Sequence, residues 1–141
     1  MRRILSVLLE NEPGALSRVI GLFSQRGYNI ETLNVAPTED PTLSRLTLTT
    51  KGDDRKMEQI TKQLNKLIDV VKLVDLTEGA HIERDLMLIK VATKTKTDRI
   101  GLIQLANVFN AKTVDVMEHH LMLELSSHPN EIERFIELCG S

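Results

Sequence analysis

The apolar residues of this chain follow the same order of spacings twice, about 80 residues apart. Each copy begins with an apolar run of strand length and continues into a stretch with helical spacing. Two strand-like stretches and a second helical stretch follow. The copies divide the 141 residues into 1–78 and 79–141. The sequence therefore predicts two small domains built on one supersecondary pattern.

The first copy predicts the order strand, helix, strand, strand, helix, strand. Its elements are a strand at 3–9, a helix with Leu16, Val19, Ile20 and Phe23 inward, strands at 28–36 and 43–51, a helix capped by Asp53, and a strand at 70–76. In the first helix the apolar residues recur at i, i+3, i+4 and i+7, which places them on one face.

The second copy restarts the pattern and stops before a fourth strand. Its elements are a strand at 85–92, a helix with Leu102, Leu105, Ala106 and Phe109 inward, strands around 114–116 and 121–125, and a helix presenting Ile132, Phe135, Ile136 and Cys139. The predicted fold is α+β, with two ferredoxin-like βαββαβ units of which the second is truncated before its last strand. Such small units leave a sheet face and sheet edges open, which favours oligomerisation.

Composition and charge narrow the classes of function. A net charge of −2 and a pI near 6.1 give no basic stripe for nucleic acid. No apolar run approaches the roughly 20 residues of a membrane-spanning helix, so no membrane association is expected. The N-terminus lacks the pattern of a signal peptide, which predicts a cytoplasmic protein.

The loop from Asn11 to Leu16 joins a predicted strand to a predicted helix through Gly14. Free backbone N–H groups and the positive end of the helix dipole suit a carboxylate there, and a glycine lets a ligand approach closely. The side-chain oxygens of Asn11 and Asn29 are neutral acceptors for an ammonium group. The alternative is purely structural: Pro13 and Gly14 start a helix and the asparagines cap turns.

Six segments together resemble the bacterial acetolactate synthase (acetohydroxyacid synthase) small subunits, a family of ACT-domain regulatory proteins. They are Arg2–Asn11, Gly14–Val19, Arg26–Glu31, Val35–Thr38, Asp40–Arg45 and Gln63–Leu67. The resemblance is close over roughly residues 1–90 and fades from about residue 93. It implies an N-terminal ACT domain that forms a homodimer side by side and binds a branched-chain amino acid, usually valine, at the dimer interface.

The resemblance also implies roles for individual residues. Asn11, Gly14 and Ala15 of one subunit would hold the charged ends of valine, and Asn29 and Ile30 of the neighbouring subunit would complete the pocket. The chain would activate a large catalytic subunit and confer feedback inhibition on it. Thiamine diphosphate, magnesium and FAD would bind to that partner, so no catalytic residue, metal site or cofactor is expected in this chain.

The second copy departs from this pattern. The segment 93–97 replaces the glycine loop, so no second amino-acid site is expected. The family usually has a longer second domain with a closing strand and a basic, glycine-containing tail, and the function of the second copy stays open.

Other chemistry has little support in the sequence. His81, His119, His120 and His128 have no cysteine cluster beside them, and the adjacent pair would point to opposite faces of a strand. Ser17 has no histidine at a meaningful spacing, and Cys139 lies on the inward face of the last predicted helix, which argues against nucleophilic catalysis by either residue.

Three rival functions have less support in the sequence. An RNA-binding domain of the same strand order needs exposed aromatic residues on its central strands, and Ser44–Thr49 contains none. A stand-alone enzyme needs a convergent set of reactive residues. An ACT protein that regulates another pathway is disfavoured by the specific segments that carry the resemblance.

Overall fold

The computed structural model describes residues 1–140. These residues form two compact units, residues 1–81 and a second unit that begins at Ile82. The division lies three residues beyond the boundary that the sequence pattern suggested. Both units are α+β with antiparallel sheets, as predicted.

The first unit contains a complete set of six elements. They are β1 (Arg2–Glu10), α1 (Ala15–Gln25), β2 (Ile30–Pro37), β3 (Leu43–Lys51), α2 (Asp54–Asn65) and β4 (Val70–Asp75). The sheet order is β2-β3-β1-β4, so the two central strands are β3 and β1. Asp53 caps α2 as predicted, because its carboxylate accepts the N–H of Lys56 at 2.9 Å.

The core of the first unit lies between the sheet and its two helices. It contains Leu5, Val7, Leu9, Val19, Phe23, Leu46, Leu48, Met57, Ile60 and Leu64. Leu33 and Val35 of the edge strand β2 pair with Leu48 and Leu46, and both remain 40% exposed. The core therefore thins out toward the edge strand β2.

The face of this sheet away from the helices carries polar side chains. Ser6 accepts a hydrogen bond from Arg45 at 2.7 Å, and the hydroxyls of Thr32 and Thr49 lie 2.6 Å apart. The exposed apolar residues of the sheet lie instead on edge strands, at Leu33 and Val35 of β2 and Val71 of β4.

The second unit contains five elements. They are β5 (Asp85–Ala92), α3 (Lys96–Phe109), β6 (Lys112–Val116), β7 (His120–Ser127) and α4 (Pro129–Cys139). The sheet order is β5-β7-β6. The predicted lack of a fourth strand is confirmed within residues 82–140, and β5 is left with one paired edge.

The core of the second unit is smaller. It contains Leu102, Ala106, Leu121, Leu123, Leu125, Ile132 and Phe135. Ile136 was expected to face inward but is 44% exposed. The reason is that α4 buries the i, i+3 pair Ile132 and Phe135, and Ile136 lies at the margin of that face.

Two findings concern membrane-spanning helices and metal sites. Over the described residues, none of the helices has the length and apolar character needed to cross a membrane. Within residues 1–140, no three His, Cys, Asp or Glu side chains are grouped closely enough to hold a metal ion. His119 lies in the turn before β7 and His120 opens that strand, so the two do not alternate within one strand as the sequence suggested.

Candidate functional site

Gly14 lies in the loop between β1 and α1, directly before the first residue of α1. Its φ of +86° lies in the left-handed region, which glycine adopts without steric cost. A Cβ built on Gly14 would lie 3.0 Å from Nη1 of Arg18. The backbone conformation thus favours glycine here, and a Cβ would require only a small shift of the flexible end of Arg18. The close ligand approach inferred from the sequence stays a prediction.

The first turn of α1 has no side-chain cap. Gly14 occupies the N-cap position and offers no oxygen, and the first turn contains no acidic residue. The N–H of Ala15 donates to the carbonyl of Glu12 at 3.2 Å. The N–H groups of Leu16 and Ser17 are therefore left at the positive end of the helix dipole without a cap from Gly14.

A pocket of about 260 Å³ opens beside this helix end. It is lined by Leu9, Glu10, Asn11, Glu12, Ala15, Leu16, Val35, Ala36, Pro37 and Ser44. Two of the predicted site residues, Asn11 and Ala15, line it, and Gly14 lies in the same loop without lining it. The pocket is smaller than the roughly 300–1,000 Å³ typical of sites for drug-sized ligands, which favours a small molecule.

Asn11 is fixed by the hairpin that joins β2 to β3. Its backbone N–H donates to the carbonyl of Thr42 at 2.7 Å, and its side-chain Nδ2 donates to the carbonyl of Pro41 at 3.1 Å. Because Nδ2 is committed to Pro41, the other end of the amide is Oδ1, an acceptor. Asn11 can therefore receive a donor such as an ammonium group.

Asn29 and Ile30 lie at the other end of the same sheet. Ile30 is in register with Thr50, whereas Pro37, which lines the pocket, is in register with Ser44. At about 3.3 Å per residue the two ends of β2 are roughly 20 Å apart. Within one chain, Asn29 and Ile30 thus cannot contact a ligand in the pocket.

The side chain of Asn29 is free to act at the surface. Its carbonyl oxygen accepts the hydroxyl hydrogen of the fully buried Thr50 at 2.5 Å, which fixes the backbone while the residue itself is exposed. Ile30 is half-buried against the core.

An ion pair anchors α1 on the far side of the loop. Nε of Arg18 donates to Oδ2 of Asp69 at 2.5 Å. This hydrogen bond lowers the pKa of the Asp69 carboxyl and raises the pKa of the Arg18 guanidinium, although desolvation opposes both shifts. The pair joins α1 to the segment that precedes β4 and holds the guanidinium against Gly14.

The corresponding loop of the second unit forms hydrogen bonds with other parts of the same unit. The N–H of Thr93 donates to the carbonyl of His119 at 2.7 Å, which matches the bond from Asn11 to Thr42. Thr95 and Asp98 form a capping box on α3. The N-terminus of α3 and this loop thus make their hydrogen bonds within the chain, and the absence of a second amino-acid site stays a prediction.

Arg99 adds further hydrogen bonds between this loop and the hairpin that joins β6 to β7. Its Nη2 donates to the carbonyls of Met117 at 2.5 Å and Glu118 at 3.0 Å, and contacts Oγ1 of Thr93 at 3.3 Å. The chain itself thus supplies a carboxylate, from Asp98, at the N-terminus of α3. It also supplies a cation, from Arg99, at the carbonyls of the hairpin that joins β6 to β7.

Sequence reasoning missed most of the residues that line the first pocket. Leu9, Val35 and Ser44 come from three strands, and their proximity depends on the registers of β1, β2 and β3. The alternating apolar residues were visible in the sequence, but the register that brings them together was not.

Comparison with known proteins decides the family. A family model described as the AHAS small subunit-like ACT domain matches residues 5–72, and one described as the small subunit of acetolactate synthase matches residues 84–141. The acetolactate synthase small subunit of Haemophilus influenzae is 55% identical over 137 residues, covering 96% of this chain and 83% of the relative. The chain belongs to the acetolactate synthase small-subunit family.

Further acetolactate synthase small subunits agree with this assignment. The isozyme 3 small subunit of Escherichia coli is 52% identical over 136 residues, covering 96% of this chain and 83% of the relative. The solved structure of the acetolactate synthase small subunit from Thermotoga maritima superimposes with a TM-score of 0.88 at 36% identity, covering 98% of this chain and 86% of that one. The resemblance seen in the sequence is confirmed, and it extends over both units.

Membership of this family has a direct consequence. A small subunit of acetolactate synthase with an ACT domain is a regulatory subunit, and its partner is the large catalytic subunit of that enzyme.

Proposed function

We propose that this acetolactate synthase small subunit activates its catalytic partner and confers feedback inhibition by valine, which binds at an interface between two copies of the chain. The observation that carries the proposal is the pocket beside the uncapped N-terminus of α1. It combines backbone N–H donors, the acceptor Oδ1 of Asn11 and an apolar wall in one small volume.

Each part of valine has a counterpart in this pocket. The carboxylate is placed at the N–H groups of Leu16 and Ser17, where the helix dipole favours negative charge. The ammonium group is placed at Oδ1 of Asn11. The isopropyl group contacts apolar wall residues such as Leu9 and Val35.

Pairing of two β2 strands explains how Asn29 and Ile30 reach the ligand. Within residues 1–81, β2 is paired only with β3, so its outer edge can pair with a second copy. An antiparallel pairing about a two-fold axis sets Pro37 of one copy opposite Ile30 of the other. The pocket of each subunit then lies beside Asn29 and Ile30 of its neighbour, and each dimer holds two shared sites.

The chemistry of the complex belongs to the partner. In this proposal thiamine diphosphate, magnesium and FAD bind the large subunit, and this chain supplies none of their ligands. Valine acts by favouring the arrangement of the complex to which it binds more tightly.

Calorimetric titration of the purified chain with valine is the first test. Saturable binding is expected, accompanied by a rise in melting temperature, because a ligand at a hundredfold excess over its Kd adds about 2.7 kcal/mol to the free energy of unfolding. Leucine and isoleucine serve as comparison ligands. A melting temperature that millimolar valine leaves unchanged would contradict the proposal.

Two half-site variants test the sharing of the pocket between copies. Asn11→Ala and Asn29→Ala should each abolish most valine binding, and a mixture of the two should regain about a quarter of the wild-type sites, because half of its dimers carry one intact pocket. Each variant incubated alone is the control. A mixture that exchanges subunits, as mass-tagged copies would report, but regains no binding would place the whole site within one chain.

A further inference from the structure

The hairpin tip between β2 and β3 is held by a dense set of hydrogen bonds. Oδ1 of Asp40 accepts the hydroxyl hydrogen of Thr42 at 2.7 Å and its backbone N–H at 3.0 Å. Thr38 closes the other side, since its Oγ1 donates to the carbonyl of Asp40 at 2.9 Å and accepts the N–H of Asp40 at 3.1 Å. These bonds fix the directions of the carbonyls at Pro41 and Thr42.

Those two carbonyls hold Asn11. The carbonyl of Thr42 accepts a hydrogen bond from the backbone N–H of Asn11, and the carbonyl of Pro41 accepts one from Nδ2 of Asn11. An asparagine amide that is held at Nδ2 has its Oδ1 orientation fixed as well, because the group is planar. The direction in which Asn11 accepts a hydrogen bond is therefore set by the tip.

In the second unit, the equivalent tip binds a cation that the chain itself supplies. Met117 and Glu118 occupy the positions before His119 that Asp40 and Pro41 occupy before Thr42. The carbonyls of Met117 and Glu118 bind the guanidinium of Arg99 directly. In the first unit the amide of Asn11 takes one of these positions.

We propose that Asp40 is a positioning residue for ligand binding: by bonding to Thr42 it holds the tip that aims Oδ1 of Asn11 at the ligand's ammonium group. The proposal deepens the proposed function and rests on it. Asp40 itself does not contact the ligand. Its effect on affinity is exerted through Asn11.

Calorimetric titration of the full-length chain with valine tests this role. Asp40→Ala should weaken valine binding about tenfold, since a well-directed hydrogen bond to a charged group is lost. Asp40→Asn, whose amide oxygen can still accept from Thr42, should restore most of the affinity. Glu39→Ala is the matched control, because it removes an exposed neighbouring carboxylate of the same tip.

A spectroscopic readout separates positioning from general stability. The side-chain amide signals of Asn11, identified by their loss in Asn11→Ala, should shift in Asp40→Ala and stay in place in Glu39→Ala. If Asp40→Ala fails to fold, Thr42→Val removes the 2.7 Å bond alone, and it should shift the same signals with a several-fold loss of affinity.

Three results would overturn the proposal: unchanged valine affinity in Asp40→Ala, an equal loss in Glu39→Ala, or a loss without movement of the Asn11 signals. Absence of valine binding in the wild-type chain would instead refute the proposed function, and that titration precedes those of the variants.

Discussion

Gly14 combines two roles at the scale of single residues. Its positive φ turns the chain from β1 into α1, and its lack of a side chain leaves the helix end uncapped and Arg18 close by. The sequence singled out this glycine for ligand binding, which stays a prediction. The direction of its missing Cβ depends on backbone angles that no pattern of residue types reports, so the contact with Arg18 was not foreseen.

Replacing Gly14 with aspartate should abolish the response to valine. The introduced carboxylate lies at the helix end, where it repels the carboxylate of the ligand. It also lies within reach of Arg18. The left-handed backbone should cost about 1 kcal/mol of stability, since aspartate is one of the residues that tolerate it. The reconstituted enzyme should stay active while ignoring valine.

Gly14→Asn is the matched control for that variant, because it has the same shape and backbone preference without the charge. It should retain more valine affinity than Gly14→Asp at a similar melting temperature. The measurement is an activity titration of each complex with valine. Normal inhibition of the aspartate variant would place the ligand elsewhere.

At the scale of helices and strands, periodicity was a sufficient guide. Helices and strands of the first unit lie within a few residues of their predicted bounds, because one apolar face per element is enough to define them. The pocket was less accessible to prediction. Leu9 and Val35 face the same pocket only because two register relations, β1 with β3 and β3 with β2, align them.

The missing fourth strand leaves a visible space in the second unit. A cavity of about 690 Å³ lies between the end of β5, the first half of α3 and the end of α4, with Leu105 and Cys139 among its lining residues. In the first unit, β4 and the segment before it fill the equivalent place with Leu67, Val70 and Leu73. Burial in this region raises the pKa of the Cys139 thiol.

Amide hydrogen exchange rates should differ between the sheets of the two units. β1 is paired on both edges by β3 and β4, whereas β5 is paired only by β7 within residues 82–140. Alternate amides of β5, those on its unpaired edge, should exchange at least tenfold faster than those of β1. β7, which has two neighbours, is the control within the same unit. Equal protection of β5 and β7 in mass-spectrometric or NMR exchange would mean that its second edge is covered in solution.

For the whole molecule, the proposed function depends on how copies of the chain associate. The proposed valine site is complete only when the β2 strands of two first units pair. Ligand binding and dimerisation are then linked, so each strengthens the other.

Dilution should therefore weaken valine binding. Below the dissociation constant of the dimer the apparent affinity should fall with protein concentration, and saturating valine should shift dissociation to lower concentration. Sedimentation velocity with and without valine measures both effects. A monomer that binds valine at full affinity would contradict the shared site.

The hydrogen bonds within the second unit bear on how such a protein can change over evolutionary time. Asp98 at the N-terminus of α3 and Arg99 at the hairpin carbonyls supply within the chain the charges that an effector is proposed to supply in the first unit. Substitutions that alter effector preference can accumulate around Asn11 without disturbing the other half. In the proposed function, effector recognition is thus confined to the first of two repeated folds, and the second keeps its own helix-end hydrogen bonds whichever effector binds.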